Sequence, residues 1–551
     1  MLRRLGYRRW LVSFALILPA AMAGAPAAHV AADAGADSDY VVVYGSPGQA
    51  SRTEVEGRGH KVAADLSAAG VLVVRTTNPA DLSTINGVIG VAPDEVLRVP
   101  DDEHPVAVDD RDQVRADNGC ATTEASCPLQ WDLARIHVPR AWDETRGSPN
   151  VRVAVLDTGL RTTHEEVGAN FDLADSRSFI PKAVAGCPAE TGTIEDGNGH
   201  GTWTATHVAG VNGALMTGIA PRTTLIIVKV LSDCGSGSFT AVMAGMMYAN
   251  SVGARIESMS LGGYLCADGV VPDSTFCGAN SPLRTTSNPI LWQAMLNIVQ
   301  FLHDHGTLVV AAAGNDHVRL GATGRVTANG SLAFAVQAAS KFNDLRGLAE
   351  APGGVPGVFA VAALNRTTAA CTAAETRFGQ YGVGSRDQLT YFSSYGERID
   401  VSAPGGARNY NVPAFDCLTN NCRRADPSAA GRTDNPEDFG AWGVNPATNA
   451  PCNDCYVDVQ GTSMATPQVA GVAALALAAN GDLTTDGLAR LLRRSVTSFA
   501  NPNATPAIAT DPSHSRFFNF DEDYGATGVS PSLMGSGVID ARLAVRGGGD
   551  N

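Results

Sequence analysis

Four side chains spread along the chain could together move an acyl group. Asp157 follows the apolar run Val151–Leu156 and precedes Thr158-Gly159, so a carboxylate stands where an extended segment ends. His200 lies in Glu195-Asp-Gly-Asn-Gly-His-Gly-Thr202, a glycine-rich turn that feeds the apolar stretch 203–210. Asn315 closes Ala311-Ala-Ala-Gly-Asn315, and Ser463 lies in Gln460-Gly-Thr-Ser-Met-Ala-Thr-Pro467, again a turn running into an apolar stretch. Singly, each has a plain structural use: a strand-end Asp or Asn shapes a turn, and a Ser or His at a helix start can cap it. Together they supply a carboxylate to orient a base, an imidazole base, an amide to hold an oxyanion and a hydroxyl nucleophile, the full set for acyl transfer. The order Asp, His, Ser differs from arrangements of this set that begin with His or with Ser. A rival use of Asp157-Thr-Gly159, as half of a two-carboxylate site, needs a second Asp-Thr-Gly or Asp-Ser-Gly, and the sequence has none.

The elements around these residues are those of an α/β protein. The runs Val151–Leu156, Leu225–Val230 and Leu308–Ala313 alternate with helical stretches over 239–250 and 289–305. Nearly continuous apolar strands between helices predict a parallel sheet covered on both faces. Such sheets carry their sites at the carboxyl ends of strands, where Asp157 and Asn315 stand. The segment Arg255–Gly263 reads as another strand, ending in glycines that let an extended peptide approach the backbone. A helix is predicted over 468–479, with Pro467 near its first turn, where backbone N–H groups lack intrahelical partners and could face an anion. Stretches near 264–288, 316–355, 405–458 and 499–534, rich in Gly, Pro, Asn and Asp, are expected to be surface loops. Upstream, strands at 40–44 and 71–75 with a helical pattern over 61–69 make a small α+β unit at 40–99. The acidic stretch beginning at Asp101, within 100–127, reads as an exposed linker with a processing site.

Composition sets the class. The 551 residues carry 40 Lys+Arg against 55 Asp+Glu, a net charge of −15, which excludes a polybasic nucleic-acid binder. With 44% apolar and 17% charged residues the chain can bury a large core and is no disordered polymer. Arg3, Arg4, Arg8 and Arg9 precede an apolar run from Trp10 to Ala23 and small residues through Ala27, the pattern of a secretory signal over 1–27. That run is too short to span a bilayer, which takes about 20 residues, so no membrane association is expected once it is removed. Export makes disulfides the simplest use of the 11 cysteines, an odd number. Close spacing proposes Cys120–Cys127, Cys266–Cys277, Cys417–Cys422 and Cys452–Cys455. For Cys452 and Cys455 a redox pair or half a zinc site are rivals.

Asp157-Thr-Gly159, Asp196-Gly-Asn-Gly-His-Gly-Thr202, Ser260-Leu-Gly-Gly263, Ala312-Ala-Gly-Asn315 and Gly461-Thr-Ser-Met-Ala-Thr-Pro467 resemble the successive signature blocks of the subtilisin-like serine proteases. The resemblance extends over 128–548 and includes Leu129–Leu133, Thr217–Pro221, Phe392–Gly396, Val401–Gly405 and Gly537–Asp540. It implies a three-layer, parallel-sheet subtilisin-like catalytic domain, with residues 40–99 similar to the family's inhibitory propeptide. It implies Ser463 as nucleophile, His200 as base, Asp157 as its orienting carboxylate, Asn315 in the oxyanion hole, and Ser260, Leu261 and Gly262 as the edge that binds substrate backbone. The implied protein is a secreted, extracellular, self-processing endopeptidase that acts on extended polypeptides as a monomer. It is inhibited by its own propeptide and needs no cofactor for chemistry. The alternative is a catalytically inactive binding protein on the same scaffold. A calcium site similar to the family's would fall around Gln130, Glu166 and the Asn212 loop. Trp203 stands where the family commonly has a second His, and Glu257-Ser258 replaces an apolar residue and Asn, so specificity does not carry over.

Overall fold

The computed structural model describes residues 38–99, 105–108, 129–181, 184, 187, 190–211, 215–267, 288–328, 345–365, 387, 389–390, 392–406, 438–499 and 529–548. The signal region 1–27 lies outside them, as does most of the acidic linker.

A nine-stranded sheet forms the centre. Its spatial order is Val496–Thr497, Val538–Ile539, Val401–Pro404, Phe359–Leu364, Leu308–Ala312, Ile256–Met259, Arg152–Asp157, Thr224–Lys229, Arg177–Ser178. All neighbours run parallel except the pair at the Val496 edge. The strands are apolar on both faces because both are covered. On one face Val153, Val155, Ile256 and Val310 pack against the helices His200–Ala209 and Thr462–Ala479. On the other, Ala154, Leu156, Met259, Val309 and Ala311 meet the helices Phe239–Ser251 and Asn288–Asp304. This is the expected three-layer α/β architecture. Arg152–Asp157 pairs with Thr224–Lys229 on one side and Ile256–Met259 on the other, so the chain reverses direction across the sheet here. That switch point opens a crevice at the strand ends. The helix Thr462–Ala479 is predominantly apolar and long enough to cross a membrane, yet it is buried in the layer, as a helix with apolar residues on every face is in a folded core.

Residues 38–99 form a separate four-stranded antiparallel sheet, ordered Lys61–Leu66, Val71–Thr76, Ser38–Tyr44, Val88–Pro93. Successive side chains alternate between its faces. Val42, Tyr44, Leu72 and Val74 join Val55 and Leu82 of the unit's own helices, Arg52–Gly57 and Pro79–Leu82. Val41, Val43, Val71 and Val73 instead share the core with the helices Phe239–Ser251 and Asn288–Asp304. Residues 61–69 are not helical: Lys61–Leu66 is a strand with Val62 and Leu66 buried, and Ser67–Ala69 is one 3-10 turn. Pairing with Val71–Thr76 outweighs the helix-favouring alanines.

Two further expectations need correction. The acidic linker is not exposed throughout, because Val106–Ala107 adds a strand to the hairpin Asp438–Val444/Pro451–Val459, and Val108 is buried beside Leu129 and Phe439. The 405–458 insertion is not simply a surface loop. Its hairpin carries Trp442, Val444, Val457 and Val459 onto Trp203 and Met464, covering the helix that begins at His200.

Candidate active site

Asp157 closes its strand with the carboxylate buried, and three donors fix it. His200 Nδ1 lies 2.7 Å from Oδ1, the Thr158 N–H donates to Oδ1 at 2.7 Å, and Thr204 Oγ1 donates to Oδ2 at 3.1 Å. A carboxylate accepts only, so Nδ1 carries the ring proton and Nε2 is the basic nitrogen. His200 opens its helix after Gly199, whose φ of 106° and contact with the Trp442 ring admit no side chain. Asp196 ties the turn together, accepting from Asn198 and Gly199 N–H groups, from Thr158 Oγ1, and from Thr202 N–H and Oγ1. Burial pushes its carboxyl up, but the Lys229 charge and these hydrogen bonds hold it below the ordinary carboxylate range. Lys229, fully buried, donates to Thr158 O at 2.6 Å and Asp233 Oδ1 at 2.7 Å, and Asp233 accepts from the Gly197 N–H. One ammonium thus braces the turns that carry Asp157 and His200. Sequence reasoning missed Lys229 and Thr204; a polar residue ending an otherwise apolar strand was the available signal.

Ser463 is the second residue of the helix Thr462–Ala479. Pro467 therefore falls in the second turn, not the first. It has no N–H for the carbonyl four residues back, which belongs to Ser463. Ser260 Oγ fills that place, donating to Ser463 O at 2.8 Å, while Ser463 Oγ donates to Ser260 O at 3.4 Å. The nucleophile candidate is thereby locked to the edge of the Ile256–Met259 strand. Asn315 Oδ1 accepts from the Thr462 N–H at 3.0 Å and Thr462 Oγ1 at 2.7 Å. That assigns the amide and leaves Nδ2, buried and with no acceptor among the described residues, at the helix start that carries Ser463. Of the edge residues, Leu261 is buried in the core and presents only its main chain. Gly262 exchanges both backbone hydrogen bonds with Arg98, N to O at 3.1 and 3.0 Å. The structure thus draws Asp157, His200, Asn315, Ser260 and Ser463 to one edge of one sheet. His207, a full two turns along the helix, is elsewhere: it stacks on Trp203 and its Nε2 lies 2.6 Å from Asp132.

The cation site expected near Gln130 and Glu166 does not fit the residues described. Gln130 Oε1 and Nε2 are spent on Thr217 N–H and O. Glu166 Oε1 accepts from Leu215 N–H, Met216 N–H and Tyr456 Oη, and burial raises its pKa. Of these oxygens only Glu166 Oε2 has no partner among the described residues, whereas calcium takes about 6–8 oxygens. Asn212 lies outside the described residues. Cys452 and Cys455 form a disulfide, so they are neither a redox pair in thiol form nor zinc ligands. Cys187–Cys234 is a long-range bridge that close spacing did not suggest. Cys266 is also disulfide-bonded. Cys120, Cys127, Cys277, Cys417 and Cys422 lie outside the described residues.

Comparison with known proteins gives the class. The model of the subtilase family matches residues 148–526. Thermitase of Thermoactinomyces vulgaris is 27% identical over 362 residues, covering 64% of this chain and 83% of the relative. Subtilisin Savinase of Lederbergia lenta is 27% identical over 379 residues, covering 68% and 94%. Among solved structures, the epidermin leader peptide processing serine protease of Staphylococcus aureus superposes with a TM-score of 0.59 at 18% identity, over 93% of this chain and 98% of that one. At that identity the likeness speaks for the fold. The chain belongs to the subtilase family. It is a subtilisin-like serine peptidase, its substrates are polypeptides, and the family's catalysis needs no cofactor.

Proposed function

We propose that the protein is a secreted serine endopeptidase, made as a zymogen that processes itself. Ser463 Oγ attacks the scissile carbonyl carbon as His200 Nε2 takes its proton. The imidazolium then gives that proton to the leaving amine, and an acyl-enzyme remains. Water, deprotonated by the same nitrogen, attacks the ester and releases the acid. Asp157 holds the tautomer and stabilises the imidazolium. Asn315 Nδ2 and the Ser463 N–H receive the oxyanion. The side-chain donor in such a hole is worth about 2.7–4 kcal/mol, a magnitude that belongs to subtilisin itself. The 2.7 Å contact between His200 and Asp157, at the edge where Ser463 and Asn315 also stand, is the observation that carries this reading.

The zymogen part is supported by where residues 38–99 end. Val96–Arg98 pairs antiparallel with Ser236–Ser238 and Arg98 bridges to Gly262, so this strand occupies the edge an extended substrate would use. Export is supported by the sequence of residues 1–27 and by the disulfides, which persist in oxidising compartments. The test is to express the full chain beside Ser463→Ala. The wild type should shed the 38–99 unit and hydrolyse casein, and the variant should accumulate uncut and inactive. Normal processing of Ser463→Ala would assign the cut to another protease.

A further inference from the structure

The Ser260–Gly262 edge and the Gly314–Asp316 turn face each other across an acidic floor. Glu350 belongs to the strand Ala349–Ala351, which pairs with Gly263–Leu265 and sets Glu350 opposite Tyr264. A methyl group at Gly262 would collide with Glu350 Oε1, and one at Gly314 would touch its carboxyl carbon at 3.6 Å. The carboxyl therefore lies between the two walls. Asp316, next to Asn315, accepts a hydrogen bond from Tyr264 Oη at 2.9 Å. Burial, and after it the charge of Asp316, pushes Glu350 well above the ordinary carboxylate range. The Gly263 N–H donates to the Glu350 carboxyl, and among the described residues no Lys, Arg or His forms an ion pair with it. His317 brings no positive charge, because burial pushes its ring down to about 3.

The register of the groove says what reaches this floor. Arg98 exchanges both hydrogen bonds with Gly262. In antiparallel pairing, a strand residue two places beyond that partner stands opposite Ser260, whose carbonyl accepts from the Ser463 hydroxyl. A substrate strand in this register offers that residue's carbonyl to Ser463. Its oxygen meets Asn315, which is only 7% exposed and whose Nδ2 has no acceptor among the described residues. Its side chain enters between the two glycine walls.

We propose that this slot binds the side chain of the residue whose carbonyl is attacked and selects a basic one, lysine or arginine, through Glu350 and Asp316. The proposal rests on the peptidase reading above. An apolar side chain would press hydrocarbon on buried carboxyl groups, whereas a guanidinium or ammonium gives them charge-assisted hydrogen bonds.

The test uses the processed enzyme, titrated with a fluorophosphonate, and three fluorogenic peptides that differ only before the scissile bond: arginine, its uncharged isostere citrulline, and leucine. The arginine peptide should exceed the citrulline peptide in kcat/KM by about 10- to 100-fold. Glu350→Gln should shrink that ratio to within a few-fold, mainly through KM. Asp316→Asn, the second variant should the first fail to fold, should shrink it as well. Titratable enzyme that cleaves the citrulline or leucine peptide as fast as the arginine peptide overturns the pocket and leaves the peptidase reading standing. So does an unchanged ratio in a folded variant. Enzyme that neither takes up the fluorophosphonate nor cleaves any peptide overturns both.

Discussion

Removing the Ser260 hydroxyl should expose how the nucleophile's helix is held. Ser463 O sits where Pro467 denies it an amide, and Ser260 Oγ is its donor at 2.8 Å. Ser260→Ala leaves a buried carbonyl unsatisfied, which costs about 1–3 kcal/mol. Pro467→Ala returns an N–H in the position of an ordinary helical hydrogen bond, so it should rescue Ser260→Ala. The four chains of the cycle can be compared by urea denaturation in a Ser463→Ala background, which keeps both main-chain groups and prevents autolysis. We expect Ser260→Ala to be destabilising by itself and the double variant to recover a coupling of about 1–2 kcal/mol, beyond the ~0.5 kcal/mol within which independent sites add. Additive effects would mean that the hydroxyl does not replace the missing amide, and the reasoning about this clamp would fail.

Glu257 is fully buried among the apolar residues of the central sheet, neither carboxyl oxygen has a partner among the described residues, and burial raises its pKa well above 4.5. Its contribution to stability is whole below about 4.5 and is lost as pH rises through the folded value; Glu257→Met should therefore stabilise by about 1–3 kcal/mol at pH 8, with a smaller gain at pH 4.5, in thermal melts. Asp94, half-buried against Thr240 at the start of the helix Phe239–Ser251, is pushed from 3.8 up to about 6 by burial, against hydrogen bonds from Thr240 and Ser238. A raised value favours the docked 38–99 unit at low pH, so its inhibition constant should weaken by at most ~100-fold between pH 4 and pH 8, and Asp94→Asn should flatten that slope.

The sheet was legible because its strands are short, continuous apolar runs. Arg152–Asp157, Thr224–Lys229 and Leu308–Ala312 lie within one residue of the expected bounds, and so do the helices Phe239–Ser251 and Asn288–Asp304. The positions of the four candidate residues were legible because each borders a turn, Asp157 and Asn315 at strand ends and His200 and Ser463 at helix starts. What sequence could not show depends on partners distant along the chain. Lys61–Leu66 becomes a strand only by pairing with Val71–Thr76. Val106–Ala107 is drawn into a sheet by Asp458 and Val457. Lys229 ends an apolar run, and nothing local says that its ammonium is buried under the Asp157 turn. Glu350 lay in a stretch expected to be a surface loop, and only its pairing with Gly263–Leu265 brings it under the substrate edge.

Ser463, activated by His200, is the proposed nucleophile. Its most direct test is labelling with a fluorophosphonate, followed by peptide mapping of the adduct. One adduct on Ser463 is expected, absent from Ser463→Ala, slowed by several orders of magnitude in folded His200→Ala, and formed by folded His207→Gln at close to the wild-type rate. An adduct on another residue, or undiminished labelling in His200→Ala, would rule out Ser463 as a nucleophile activated by His200.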